Sequence, residues 1–366
     1  MTKAAELAKW GEVSTNGQVS GRRNIVINGA MQVAQRATSA TGKTTGGYFT
    51  VDRSKFDLVN LGTHTYSQST DAPEGFSNSL RIDCTTTASL SADSLLYALC
   101  TGIEGQDVQQ LKKGTSNAEA VTISFYVKSN KTGTYVLEVY DGTNTRHIGK
   151  TYTINSANTW EYKTLTFVGD TTGAIANSNA FGMGLFFWVS GGSNYTSGTL
   201  PSGWSSVTTA NRAAGLNVNI ADNTANDWAI TGVQMEVGSV ATPFEHRSFG
   251  EELALCQRYH YRAGKAESAY TNFGQGWATA ARAGTIQIPL PVEMRAEPSV
   301  TINDVQVSDD VNSAIDCTAI AVNAATGGRQ LAVLEFTVGS DVTQYRSYGL
   351  RGSNNTASHV SLSAEL

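Results

Sequence analysis

ITGVQMEVGSVATPFEHRSFG, residues 230–250, decides how the chain divides. Its first half alternates: Val233, Met235 and Val237 are apolar, while Gln234 and Glu236 between them are polar. A period of two is the mark of a strand with one face in a core. Thr242-Pro243 then breaks the pattern, because proline fixes φ and removes a backbone donor. A helical pattern starts near Glu251, placing Leu253, Cys256, Tyr259 and His260 at i, i+3, i+6 and i+7. Tyr259 and Tyr261 suit the start of a strand equally well. The block closes one β-domain and opens another unit. It reads as a joint, with no chemistry assigned to its side chains.

Working outward, short β-type runs bounded by turn residues fill the chain upstream. They fall at 48–51, 56–61, 79–84, 95–101, 120–128, 133–140, 145–154, 160–168, 180–189, 216–221 and 228–237. Ile25, Val26 and Ile27 read as an opening strand, with Asn28-Gly29 as a turn or bulge and Met31 and Val33 as its continuation. Alternation is plainest in Val121, Ile123, Phe125 and Val127. Residues 34–47 and 191–214 read as long flexible loops, the second carrying Tyr195 and Trp204. Many short strands with turn signals between them argue for a two-sheet antiparallel sandwich, and a jelly roll suits this strand count. Downstream, runs at 271–281, 284–289, 299–307, 314–322, 329–337 and 359–366 indicate a second, shorter series. The fold expected is all-β: a jelly-roll antiparallel β-sandwich followed by a second smaller β-domain, with a short N-terminal anchor segment. The boundaries are 1–23 for the anchor, 24–246 for the jelly roll, 247–262 for a connecting helix and 263–366 for the C-terminal β-domain.

Composition agrees. Of 366 residues 40% are hydrophobic and only 16% charged, against roughly 25% charged in an ordinary globular protein. Thr, Ser, Asn and 36 glycines take the place of charge, a mix that favours strands and turns. The net charge is −5 with no basic stripe, which argues against nucleic-acid binding. No stretch approaches the roughly 20 apolar residues of a membrane span, so no membrane insertion is expected. The N-terminus lacks the apolar centre of a signal peptide. Cys84, Cys100, Cys256 and Cys317 have no CxxC spacing and read as apolar fillers in a protein made in a reducing cytoplasm.

Catalytic motifs are hard to find. Thr41-Gly42-Lys43-Thr44 lacks the upstream glycine a phosphate loop needs. His64, His147, His246, His260 and His359 have no metal-ligand spacing, and no GxSxG element is present. Asp52, Asp57, Glu104, Asp107, Glu138 and Asp141 are available for glycosidase-type pairing, but sequence does not place them at a working separation. Asp222-Asn223 and Asn226-Asp227 offer oxygen ligands for calcium, or are simply polar turn residues. No metal or cofactor is assigned. What remains is aromatics on a β-scaffold: Tyr66, Tyr195, Trp204, Tyr270 and Trp277 fall in apparent loops or loop edges. Flat rings beside Asn, Asp and Arg suit sugars, which have apolar faces and hydroxyl rims, and aromatics are also ordinary core fillers. Tyr195, Trp204, Tyr270 and Trp277 are the candidate glycan-binding residues. In residues 1–23, Ala4, Leu7, Ala8 and Trp10 form a short apolar stripe too brief to hold a helix alone. Leu7 and Trp10 are the candidate anchors.

Three segments carry a family likeness. MTKAAELAKWGEVSTNGQVSGRRNIVINGAMQVAQR at the start, ITGVQMEVGSVATPFEHRSFGEELALCQRYHY at the joint and IPLPVEMRAEPSVTI near the C-terminal domain resemble tail-fibre and appendage proteins of marine tailed bacteriophages, cyanophages among them. The first domain also resembles jelly-roll carbohydrate-binding modules. Those modules often hold calcium with an acidic residue near the opening strand; Ala30-Met31-Gln32 stands there in this chain, so the metal does not carry over. The resemblance implies a non-enzymatic virion protein, made in the host cytoplasm and assembled as a homotrimer. Residues 1–23 would bind other virion proteins, and the implied role is a tail fibre contacting host surface polysaccharide. A capsid decoration protein or head fibre, and a polysaccharide depolymerase spike, are the alternatives.

Overall fold

The computed structural model of the protein describes residues 22–264, 268–312 and 314–366. The expected anchors Leu7 and Trp10 lie outside the described residues. The described chain forms two compact units, one running through Glu252 and the other from Leu253 to Glu365.

In the first unit two antiparallel sheets face each other. One has the order β1 (Ser39–Lys43), β4 (Thr63–Ser69), β5 (Ser79–Thr86), β13 (Asp227–Val237), β7 (Val121–Ser129) and β10 (Glu161–Phe167). The other runs β12 (Ser205–Ser206), β9 (Arg146–Ile154), β8 (Gly133–Asp141), β11 (Phe181–Gly191), β6 (Leu95–Glu104), β3 (Lys55–Val59) and β2 (Gly47–Tyr48). This is the jelly-roll sandwich. The alternation of β7 turns Ile123, Phe125 and Val127 inward, where Phe125 meets Phe187 of β11 edge-on at 5.0 Å and Phe187 meets Trp228 of β13 at 6.1 Å. Each such ring, fully buried, contributes about 1.5–3 kcal/mol of transfer free energy.

β6 and β11 are buried almost throughout rather than on alternate residues. A second apolar layer explains this. The segment 192–217 folds over the outer face of β6, β8 and β11, so that Leu95, Tyr97, Leu99, Val136, Phe186 and Trp188 are covered as well. The expected flexible loop is therefore a lid of packed structure.

Several expected elements differ. The opening segment forms no regular strand: residues 22–26 are irregular and 27–30 a turn. It still lies beside β13, with Ile25 N–H donating to Met235 O at 2.9 Å and Val233 N–H to Gly29 O at 2.9 Å. The ladder is broken because Asn28 and Met31 sit at φ 60° and 56°. Residues 39–43, expected as part of a loop, are strand β1, and β4 is absent from the expected strands because the buried positions of THTYSQS are His64 and Tyr66, which give no aliphatic alternation against its polar outward residues. Tyr66 lies in β4, not a loop edge, with its ring stacked 3.9 Å from Phe56 in the core. The expected strand 216–221 is irregular chain ending in a single 3₁₀ turn, Ile220–Asp222.

In the second unit β15 (Asn272–Ala280), β16 (Ala283–Pro289), β20 (Leu331–Val338), β19 (Ile315–Val322), β18 (Val305–Ser308) and β21 (Ser347–Gly352) close into a barrel. A three-stranded sheet of β14 (His260–Ala263), β22 (His359–Ser363) and β17 (Ser299–Asn303) accompanies it. Ile286, Leu334, Phe336 and Leu350 fill the core, all fully buried. The single strand expected over 299–307 is two, split at Asp304, whose φ is 45°. The helix spans Phe249–Gln257, shorter than the expected pattern, and His260 already begins β14.

Candidate functional site

The groove of interest lies on the outward face of the β1-β4-β5-β13-β7-β10 sheet, and a glycine makes room for it. β13 pairs with β7 at Thr231↔Tyr126 and again at Gln234↔Ser124, so β13 carries one extra residue between them. This bulge contains Gly232 at φ 62°. A Cβ at Gly232 would sit 2.7 Å from Phe76 Cζ and 3.1 Å from Tyr126 Cδ2. Only glycine combines that conformation with that approach.

Over this floor runs an unbroken row of rings. Tyr162 of β10 lies 4.9 Å from Tyr126, Tyr126 lies 5.4 Å from Phe76, and Phe76 lies 5.0 Å from Phe244 and 5.2 Å from His246. Phe244 and His246 touch at 4.9 Å. The groove they line has a volume of about 950 Å³, and Ser124, Thr164 and Ser239 are among its polar lining residues. Tyr162 is 48% exposed, so the row is open to solvent at that end.

One wall is the segment 239–246, which turns back over β13 and is pinned to it. Gln234 and Glu236 point outward from β13 as the alternation requires, yet both are buried, because the returning segment covers them. Glu236 accepts from the Thr242 N–H at 2.8 Å and from its hydroxyl at 2.6 Å. Gln234 accepts from the Glu245 N–H at 2.8 Å and donates to Thr242 O at 3.2 Å. Glu245 in turn accepts from the Asn24 N–H at 2.7 Å. Arg247 donates to Val26 O at 3.0 Å and pairs with Glu252 at 3.3 Å, and Glu252 also accepts from the Asn28 N–H at 2.6 Å. The block 230–250 is thus more than a joint: Thr242, Phe244 and His246 build the groove.

None of the four glycan candidates lines this groove. Tyr195 packs on Trp188 at 5.2 Å as part of the covering layer. Trp204 is half-buried; its indole N–H donates to Val168 O at 2.7 Å, and Lys113 Nζ rests 4.8 Å from its ring. Lys113 also reaches Asp170 at 2.7 Å and pairs with Asp141, while Arg146 holds Asp170 at 2.7 and 3.0 Å. Burial alone would raise the Asp170 pKa. The hydrogen bonds from Arg146, Lys113 and the Thr172 N–H outweigh burial and bring it to about 2. Tyr270 and Trp277 belong to the second unit and are 49% and 43% exposed, with the Arg351 guanidinium 5.5 Å from the Tyr270 ring. Tyr195 and Trp204 thus belong to the first unit and Tyr270 and Trp277 to the second.

The acidic residues raised by the sequence have structural partners. Glu138 is buried and accepts from Trp188 Nε1 at 3.0 Å and Arg212 Nε at 3.0 Å, with His147 Nδ1 2.9 Å away. Asp57 accepts from the Tyr97 hydroxyl at 2.5 Å. Asp222 is engaged by Asn226 and Lys131, and Asp227 by Arg81 at 2.8 Å, so that turn is held by cations of the chain itself. Among the described residues no cluster of three or more His, Cys, Asp or Glu is arranged to hold a metal ion. No helix among them is long and apolar enough to cross a membrane.

The groove residues were not anticipated from sequence. Two signals pointed toward them: a glycine inside the alternating strand, which marks a bulge or a close approach, and a tyrosine, Tyr126, at an outward position of β7.

No family model and no curated protein matches this sequence. Among solved structures, the chain is similar to the enzymatically active domain of tailspike protein 4 of bacteriophage CBA120, at 13% identity and a TM-score of 0.31, over 60% of this chain and 22% of that one. It is also similar to the family 11 carbohydrate-binding module of the cellulase Lic26A-Cel5E of Clostridium thermocellum, at 10% identity and a TM-score of 0.25, over 61% and 96% of the two chains. A third is the xylan-binding CBM22-1 domain of Xyn10C from Paenibacillus barcinonensis, at 11% identity and a TM-score of 0.24, over 61% and 100%. Likenesses of this size carry no conclusion about what this chain does.

Proposed function

We propose that this chain is a virion structural protein of a tailed bacteriophage, a non-enzymatic homotrimeric tail fibre that holds a host surface glycan in the groove of its first unit. The observation that carries the glycan reading is the continuous row Tyr162–Tyr126–Phe76–Phe244–His246 beside the polar lining residues Ser124, Thr164 and Ser239. Aromatic faces bury the apolar C–H faces of sugars, and side-chain hydroxyls replace water on their rims. The virion role, the trimer and attachment through residues 1–23 rest on the three sequence segments that resemble phage appendage proteins.

Binding of the purified protein to polysaccharides from bacterial surfaces, compared with Tyr126→Ala and Tyr162→Ala, tests the site. Tyr162→Ala, at the exposed end of the row, should abolish retention while leaving the melting curve in place. Tyr126→Ala, which also removes packing on Phe76, should abolish retention with a modest loss of stability. Unchanged binding by both would remove the groove from the reading. Antibody labelling of intact particles separates a tail fibre from a capsid decoration protein. Release of reducing ends during binding would identify a depolymerase spike instead.

A further inference from the structure

The rings of the groove are not coplanar. Tyr126 and Tyr162 are tilted by 49°, Phe76 and Tyr126 by 57°, Phe76 and Phe244 by 69°, and Phe244 and His246 by 71°. A flat sugar face stacks best on one flat ring or on rings in line. Rings in contact at these angles form a row of apolar creases instead of a flat platform, and a crease walled by ring carbon suits a small apolar group such as a methyl. Val240, Ala241 and Pro243 continue the same apolar character along the wall.

Charge narrows the ligand further. Arg23 and Glu74 are the groove's fixed charges, one of each sign. Lys128, two residues along β7 from Tyr126, is engaged by Asp71 and lies 5.3 Å from the Trp160 ring. An acidic polymer would lose hydration in the groove without gaining a net positive field, and the chain as a whole carries −5, which disfavours its approach.

We infer that the groove takes an uncharged glycan bearing methyl groups, either a deoxyhexose such as rhamnose or fucose or an N- or O-acetylated sugar, with those methyls seated between the tilted rings. This rests on the glycan reading above and names the class of sugar within it. Each methyl that enters a crease strengthens binding by roughly fourfold.

Isothermal titration with matched probes tests it. One pair is a chitin-derived N-acetylglucosamine oligosaccharide and the cellulose-derived glucose oligosaccharide of the same length and linkage; another is a D-rhamnan and a D-mannan of the same linkage; a polyuronate is the charged probe. The expected result is that the methyl-bearing member of a pair binds several-fold tighter, that the polyuronate does not compete, and that affinity barely changes with salt. Phe244→Ala should bring the ratio within a pair toward one more than it lowers affinity for the methyl-free member. Equal affinity within the pairs, preference for the methyl-free member, or tight salt-sensitive polyuronate binding would overturn the inference while leaving a glycan groove standing. Absence of binding by every probe, and by the bacterial surface polysaccharides tested for the parent reading, would remove both.

Discussion

Glu236, buried in the last strand of the sandwich, accepts hydrogen bonds from both the backbone and the side chain of Thr242, at 2.8 and 2.6 Å. Two residues of one short block thereby convert the end of a strand into the wall of a groove. The carboxylate has no water to fall back on, so its bonds to Thr242 matter more than their number suggests.

Removing that acceptor should unseat the wall. Glu236→Ala strands the Thr242 N–H and hydroxyl and is expected to cost roughly 2–3 kcal/mol in urea unfolding. Any ligand of the groove should bind more weakly by a larger factor than the same substitution at an exposed carboxylate such as Glu335 produces. If stability falls and groove affinity does not, the wall is not a working part of the site.

Gly232→Ala tests the floor. The residue sits at φ 62°, and an added methyl would press on Phe76 and Tyr126. Backbone strain of this kind costs on the order of 1–3 kcal/mol, and relief requires the two rings to separate. Thermal unfolding should shift down, and the near-ultraviolet circular dichroism of the ring row should change with it. A variant with wild-type stability and an unaltered aromatic spectrum would contradict this account of the bulge.

These two positions show what could be read from the sequence and what could not. The alternation of Val233, Met235 and Val237 with Gln234 and Glu236 gives the strand and its inward face without ambiguity, since a period of two is a local property. What covers the polar face is not local. Gln234 and Glu236 are buried only because residues 239–246 double back, and nothing in a turn-like TPF announces which way it turns. Phe76 reaches the site from a loop more than 150 residues before Gly232, so the ring row exists only after the sheet has formed. The expected flexible loop 191–214 failed for a related reason. Its Gly and Ser content resembles mobile chain, but Tyr195, Leu200, Ala213 and Leu216 are spaced to cover β6 and β11. The full burial of those two strands was visible as continuous apolar runs, and it implied a covering layer.

Acid should weaken the first unit through Asp170. Its folded-state pKa, about 2, lies below the usual carboxylate value near 3.9. The unfolded chain therefore binds more protons in that interval, and stability rises with pH there. The contribution is fully present above about pH 4 and is lost as pH falls through about 2. Asp170→Asn should be less stable than wild type at neutral pH and should show a shallower fall between pH 4 and 2, by up to about one proton in the linkage slope. Parallel curves for the two proteins would mean that the Lys113–Asp170–Arg146 cluster does not govern acid sensitivity.

The last prediction concerns attachment. Asn24 is held by its own contacts: its N–H donates to Glu245 at 2.7 Å, and its side chain accepts from the Val26 and Met235 N–H groups at 3.0 and 3.1 Å. A cut before Arg22 leaves all of these in place and keeps Arg23 at the groove. A protein lacking residues 1–21 keeps these contacts and should fold and bind the same glycans. If those residues attach the protein to the particle, with Leu7 and Trp10 as the apolar contacts, the truncated form should fail to join virions when supplied in place of the full chain. Leu7→Ala with Trp10→Ala should reproduce that failure without shortening the chain. Particles that carry the truncated protein at normal copy number would show that attachment lies elsewhere.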